Sequence, residues 1–143
     1  MIFLLQLVSS LSMTVIIGLV QVLIYPQFAH VHESNREQYH LFHQLRITYL
    51  VGPLMLIEAA TLVWLWFDPL LRHPSLLIAS VCLLLIWLQT AFHIVPIHHQ
   101  LTQSTVTYQA LVQSLVRANR YRTSFWIIKS IALVYLVSSL LAR

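Results

Sequence analysis

Apolar residues run almost unbroken through four stretches, 2–24, 47–67, 76–95 and 125–141, and polar residues gather between them. Each stretch approaches the roughly 20 helical residues that span a bilayer's hydrocarbon layer. The last is the shortest and contains Lys129. The pattern predicts an all-α integral membrane four-helix bundle, a single domain over 1–143. A short extra helix is expected in the third loop, because 106–116 reads as an amphipathic segment ahead of a polar turn at 117–122. The first loop should turn helical before it enters the membrane. Ser34 followed three residues on by Glu37 has the spacing of a capping box, and 35–67 then reads as one long helix bent at Gly52-Pro53. Pro96 marks the end, or a kink, of the third span. Residues 68–74 read as a tight linker. The first stretch lacks a basic leader and a small-residue cleavage pattern, so it reads as a retained helix.

Composition narrows the class. The chain is 59% hydrophobic and 8% charged, whereas an ordinary soluble domain is about a quarter charged. Two glycines rule out a collagen-like chain, and the lone Cys82 rules out a disulfide or a cysteine metal site. There is no phosphate-cradling glycine loop, nucleophile elbow, His-Glu-x-x-His or pair of neighbouring carboxylates, which argues against hydrolases and nucleotide-binding enzymes. The net charge of +4 reads as a topology signal rather than a nucleic-acid patch. Loops one and three carry Arg36, Arg46, Arg117, Arg120 and Arg122, while the termini and second loop offer Arg72 and Arg143. By the positive-inside rule, loops one and three are cytoplasmic and both termini lie outside.

Against this background the eight histidines are the main candidate chemistry. His30, His32, His40 and His43 lie between the first two spans, and His93, His98 and His99 end the third. His40 and His43, three apart, share a helix face. His43, His93, His98 and His30 fall within about 6–9 Å of one membrane boundary by helical rise. Imidazole ligates Zn, Cu and Fe and binds haem axially, so His43, His93 and His98 are candidate ligands of a transition metal or haem. His40 and His30 stand beside them, and Asn119 and Arg122 line the rim. The alternative is that these histidines hydrogen-bond loop carbonyls and headgroups. His32, His73 and His99 read as structural.

Glu58 stands apart, about 22 Å along the helix from His43, too far to share one ion. A carboxyl near mid-span is costly and is by default a functional candidate, here a proton-coupled group. Counting inward from the boundaries places it level with Thr14 and Tyr135, with Lys129 about 9 Å shallower. It either hydrogen-bonds Tyr135 or serves a proton relay or polar cofactor contact. Gln6, Ser10, Thr14 and Gln21 make a polar stripe on the first span, and Gln89 and His93 a shorter one on the third. Such residues are common glue between membrane helices, although Gln89 lies near the carbonyl freed by Pro96. The halves also resemble each other faintly: Pro26 precedes Tyr39 by 13 residues and Arg46 by 20, and Pro96 precedes Tyr108 by 12 and Arg117 by 21. That spacing is either a parallel repeat with a site at its interface or a coincidence.

Tyr25-Pro26-x-Phe28, Tyr39-His40-x-x-His43-x-x-Arg46-Ile47 and Gly52-Pro53-Leu54-Met55-Leu56-x-Glu58 form an ordered pattern. With Trp87-x-x-Thr90, Pro96-x-His98-x-x-Leu101 and Asn119-x-x-Arg122-Thr123-x-x-Trp126, it resembles a group of uncharacterised small bacterial four-helix membrane proteins over most of the chain. It is more distantly similar to anthrone-oxygenase-like membrane proteins. The resemblance implies the four-helix fold and a bacterial inner-membrane location, and carries no activity. It departs at Arg120, where the group has Trp. Two functions are therefore expected. One is a protein binding metal or haem at its cytoplasmic face. The other is an accessory subunit of a larger respiratory or photosynthetic complex, in contact with lipid and partner subunits or further copies of itself.

Overall fold

The computed structural model describes residues 1–103 and 107–142, the side chain of Leu70 excepted. Among these residues every regular element is helical. Four rods are long and apolar enough to cross a membrane: Ile2–Phe28, Glu33–Leu65, Pro74–Gln103 and Tyr108–Leu141. The first comprises α1 (Ile2–Leu19), a π turn (Val20–Ile24) and α2 (Tyr25–Phe28). The second is a 3-10 turn (Glu33–Asn35) and α3 (Arg36–Leu65), and a short 3-10 turn (Pro69–Leu71) leads on. The third comprises α4 (Pro74–Gln89), a π turn (Thr90–Ile94) and α5 (Val95–Gln103), and the fourth is α6 (Tyr108–Leu141).

The helices are apolar nearly all round, so burial rather than amphipathicity distinguishes their faces. Met13, Ile17, Met55, Leu76, Ile86, Trp126, Leu133 and Leu136 pack the middle of the bundle. Val20, Tyr25, Phe28, Leu101, Tyr108 and Leu115 pack one end. Leu4, Val15, Leu56, Trp64, Leu84 and Ile131 face outward. α4 packs along α6, α1 touches α3 and α6, and α5 reaches α3.

Several expected boundaries move. The separate third-loop helix does not form: from Tyr108 its residues are the first turns of α6, and 117–122 is helical rather than a turn. The polar residues there interrupt the hydropathy without interrupting the helix, since Arg and Ala are good helix formers and Asn and Tyr cost it only a few tenths of a kcal/mol. Val106 and Arg143 lie outside the described residues. The capping box also fails. Asn35, not Ser34, caps α3, because the His32 imidazole takes the Ser34 amide at 3.4 Å and its hydroxyl at 2.9 Å. His73 caps α4 in the same manner, accepting from the Ser75 amide at 3.2 Å.

Pro96 does not end the third rod. Proline lacks an amide hydrogen and crowds the carbonyl four residues back, and the chain accommodates it with one wide turn, Thr90–Ile94. The same device, Val20–Ile24, precedes Pro26. A π turn inserts one residue and so shifts the inward face by about 100° at 3.6 residues per turn. Along α4 the buried positions are Ser75, Leu76, Ala79, Cys82, Leu83 and Ile86, a spacing that would next bring His93 and Ile97 inward. Beyond the wide turn Ile94, His98 and Leu101 are buried instead, and His93 is exposed. In the first rod the shift selects Tyr25 and Phe28. In a Cys82→Ser background, His93→Cys should react rapidly with a maleimide and His98→Cys slowly. Adding Pro96→Ala should narrow or invert that order as the wide turn relaxes. An unchanged order would show that the turn does not depend on the proline.

Candidate functional site

The two prolines bring Tyr25 and His98 together, with Tyr25 Oη 3.0 Å from His98 Nε2. Both are buried. Gln44 of α3 donates to the His98 carbonyl at 3.0 Å, tying α5 to α3 beside the pair. They stand at the polar end of a 330 Å³ cavity whose other walls include Ile17, Val20, Ile47, Val51, Met55 and Ile94. Exposed Thr48, Val95 and His99 form part of its lining and mark an opening between α3 and α5. Gly52 also lines it, and a Cβ there would meet nothing within 4 Å. Residues from both halves of the chain line this space.

Arg122 closes the polar end. It is 4% exposed, its Nε has no partner, and its Nη2 faces the Met55 sulfur at 3.7 Å. Its charge acts on both Tyr25 and His98. Among the described residues it forms no ion pair. Glu58 is taken by Lys129. Glu33 and Glu37 are exposed near the start of α3, and Asp68 follows its opposite end.

His40, His43 and His98 come together, but around an aromatic ring. Phe28, fully buried, lies with its ring centre 4.5 Å from His40, 5.1 Å from His43 and 6.2 Å from His98, edge-on to each. His43 and His98 stack at 5.7 Å. Among the described residues no three His, Cys, Asp or Glu side chains are placed to hold one metal ion. The tautomer of His40 follows from its partner. Tyr108 spends its one hydroxyl proton on the Phe28 carbonyl at 2.7 Å, so His40 Nε2, 2.9 Å from Tyr108 Oη, is the donor. This leaves a bare lone pair on His40 Nδ1, unpartnered like His43 Nε2 and His98 Nδ1.

The other candidates lie elsewhere. His30 is exposed at the end of the first rod, and His93 sits in an outer groove with Phe92, Tyr121 and Phe125. Gln89 donates to the Ala118 carbonyl at 2.5 Å, and Asn119 donates to Gln21 at 2.8 Å; both join helices rather than line the cavity. Tyr135 is exposed against His73. Tyr25, Phe28 and Met55 were not singled out in the sequence for chemistry. The cue for Tyr25 was an aromatic polar group directly before a proline at the end of a span.

Glu58 does not meet Tyr135. Its Oε1 accepts from Lys129 Nζ at 2.7 Å, and both side chains are fully buried. The depth count misplaced Lys129 because it began the fourth span at 125, whereas α6 starts at Tyr108. Thr14 reaches Ser130 at 2.8 Å and the Trp126 carbonyl at 3.2 Å, which sets the level of α1 against α6. The ammonium also donates to Ser10 at 3.0 Å. Thr61 gives its proton to the Ile57 carbonyl at 2.7 Å, so the Gln6 amide nitrogen must donate to Thr61. The Gln6 oxygen then accepts from Lys129 at 3.3 Å. Carboxylate and ammonium thus neutralise each other; Ser10 and Gln6 complete the ammonium's contacts, while Glu58 Oε2 is buried without a partner. Breaking such a pair strands a buried charge and costs about 3–5 kcal/mol, whereas replacing both partners by apolar groups is often neutral. Glu58→Met and Lys129→Met should each lower the melting temperature strongly in detergent, and the double variant should recover most of the loss. A double variant as unstable as the worse single would show that the two charges do not compensate each other.

No protein family matches the chain, and neither does any curated protein or any solved structure.

Proposed function

We propose that this chain is an integral membrane protein that binds a small organic ligand in the cavity between its two halves. The carrying observation is the cavity itself: 330 Å³ of largely apolar space ending in Tyr25, His98 and Arg122. Apolar walls with a few convergent polar groups are the usual make-up of a ligand pocket, and the volume falls at the small end of the roughly 300–1,000 Å³ such pockets span. The four long apolar rods and their outward Leu, Val and Trp side chains support placement in a bilayer.

The histidines support a polar, proton-exchanging role better than a three-histidine metal or haem centre. For His40, His43 and His98 to converge on one ion, Phe28 would have to leave the space among them. The Tyr25–His98 hydrogen bond can run in either direction instead. As the Nε2–H tautomer His98 donates to the tyrosine oxygen and leaves the hydroxyl free to donate into the cavity; as the Nδ1–H tautomer its Nε2 accepts the hydroxyl proton. A ligand oxygen at that end favours the first arrangement.

2-Naphthol, a flat apolar molecule with one hydroxyl, is a suitable probe. Added at ten times its Kd it should stabilise the protein by about 1.4 kcal/mol, read as a rise in melting temperature. Gly52→Leu should abolish the rise by filling the cavity. It should not destabilise the fold, because glycine inside a helix costs about 0.5–1 kcal/mol and the space beside it is open. Tyr25→Phe combined with His98→Ala should weaken binding. Equal stabilisation of the wild type and Gly52→Leu would remove the proposal.

A further inference from the structure

Resting on that reading of the cavity, we propose that its natural occupant is an organic monoanion, an apolar body bearing one carboxylate whose head pairs with Arg122. A buried cation is costly unless an anion or a full set of acceptors surrounds it. Lys129 meets this demand with Glu58, Ser10 and Gln6, and Arg122 does not. Its Nε is unpartnered and the contact of its Nη2 is a thioether sulfur, a weak acceptor. The missing negative charge therefore has to come from whatever enters the cavity that Arg122 lines.

The lining sets the rest of the class. Arg122 is the one Lys or Arg side chain among the described residues of the wall, which balances one negative charge; a phosphate dianion would call for a second cation. The planar guanidinium fork matches a carboxylate in geometry. Tyr25 stands beside it as a neutral donor. The rest of the wall is mostly Ile, Val and Met; of its other polar side chains, Gln44 and Thr90 donate to backbone carbonyls, and Thr48 and His99 stand at the opening, which suits an apolar body with its one polar head at Arg122. The opening beside exposed Thr48, Val95 and His99 would admit an amphiphile from the outer surface of the bundle. A fatty acid and an aromatic acid share this chemistry.

Binding of two acid–amide pairs, 2-naphthoate with 2-naphthamide and octanoate with octanamide, to the full chain in detergent tests the assignment. At least one acid should bind tenfold or more tightly than its amide. The tighter acid shows whether the body is a ring or an acyl chain. Arg122→Met should erase the preference and leave the melting temperature of the ligand-free protein equal or higher, because it removes an unbalanced charge. Arg122→Gln, which keeps donors without charge, should erase it too and serves if the methionine variant does not fold. Equal binding of both acids and their amides would overturn the monoanion. So would a preference that survives loss of the charge, or a ligand-free Arg122→Met protein that melts clearly lower. If neither amides nor acids bind and 2-naphthol is equally inert, the cavity is not a ligand site and both readings fall together.

Discussion

Two prolines set the geometry on which the candidate site depends. Each sits two residues after a five-residue wide turn, Val20–Ile24 before Pro26 and Thr90–Ile94 before Pro96. The wide turn relieves the clash that proline imposes on the preceding carbonyl and advances the inward face by one residue. Without that advance, the inward repeat of α4 would continue onto His93 rather than His98. The Tyr25–His98 hydrogen bond, the shape of the cavity and the exposure of His93 all follow from the same backbone adjustment made twice. Wide turns of this kind recur at functional sites in helical proteins.

The bundle treats its two buried cations in opposite ways. Lys129 is neutralised by Glu58 and fully hydrogen-bonded midway along the helices, where an unbalanced charge would be hardest to sustain. It joins α1, α3 and α6 into one register. Arg122 lies about two turns nearer the start of α6, beside an open cavity, without a counter-charge among the described residues. The first arrangement holds the fold together, while the second is unfinished chemistry that a ligand would complete. Around it the chain spends Gln21, Gln89 and Asn119 on joining helices, and sets Phe28 against all three imidazoles, two of which stack on each other.

Much of this was legible in the residues. Three of the four apolar stretches lie inside their rods and the second, 47–67, runs two residues past Leu65, because spanning length and hydropathy are local properties. That Gln6, Ser10 and Thr14 share one face followed from their helical spacing, although not that this face points inward. His40, His43, His98, Arg122 and Glu58 stood out because polar groups are so scarce in this chain. Helix ends were less legible: the polar run 117–122 looked like a turn, and Ser34 looked like a cap until His32 claimed its amide.

What the sequence by itself determined was the class of structure, its four long apolar helices and the short roster of polar side chains available for chemistry. Tertiary structure decided which of them meet. Depth counted along single helices cannot show that Glu58 finds Lys129 instead of Tyr135, or that a phenyl ring fills the centre of the histidine cluster. Rise per residue fixes height along a rod, but the angle at which a side chain points depends on every wide turn before it and on the neighbour it packs against.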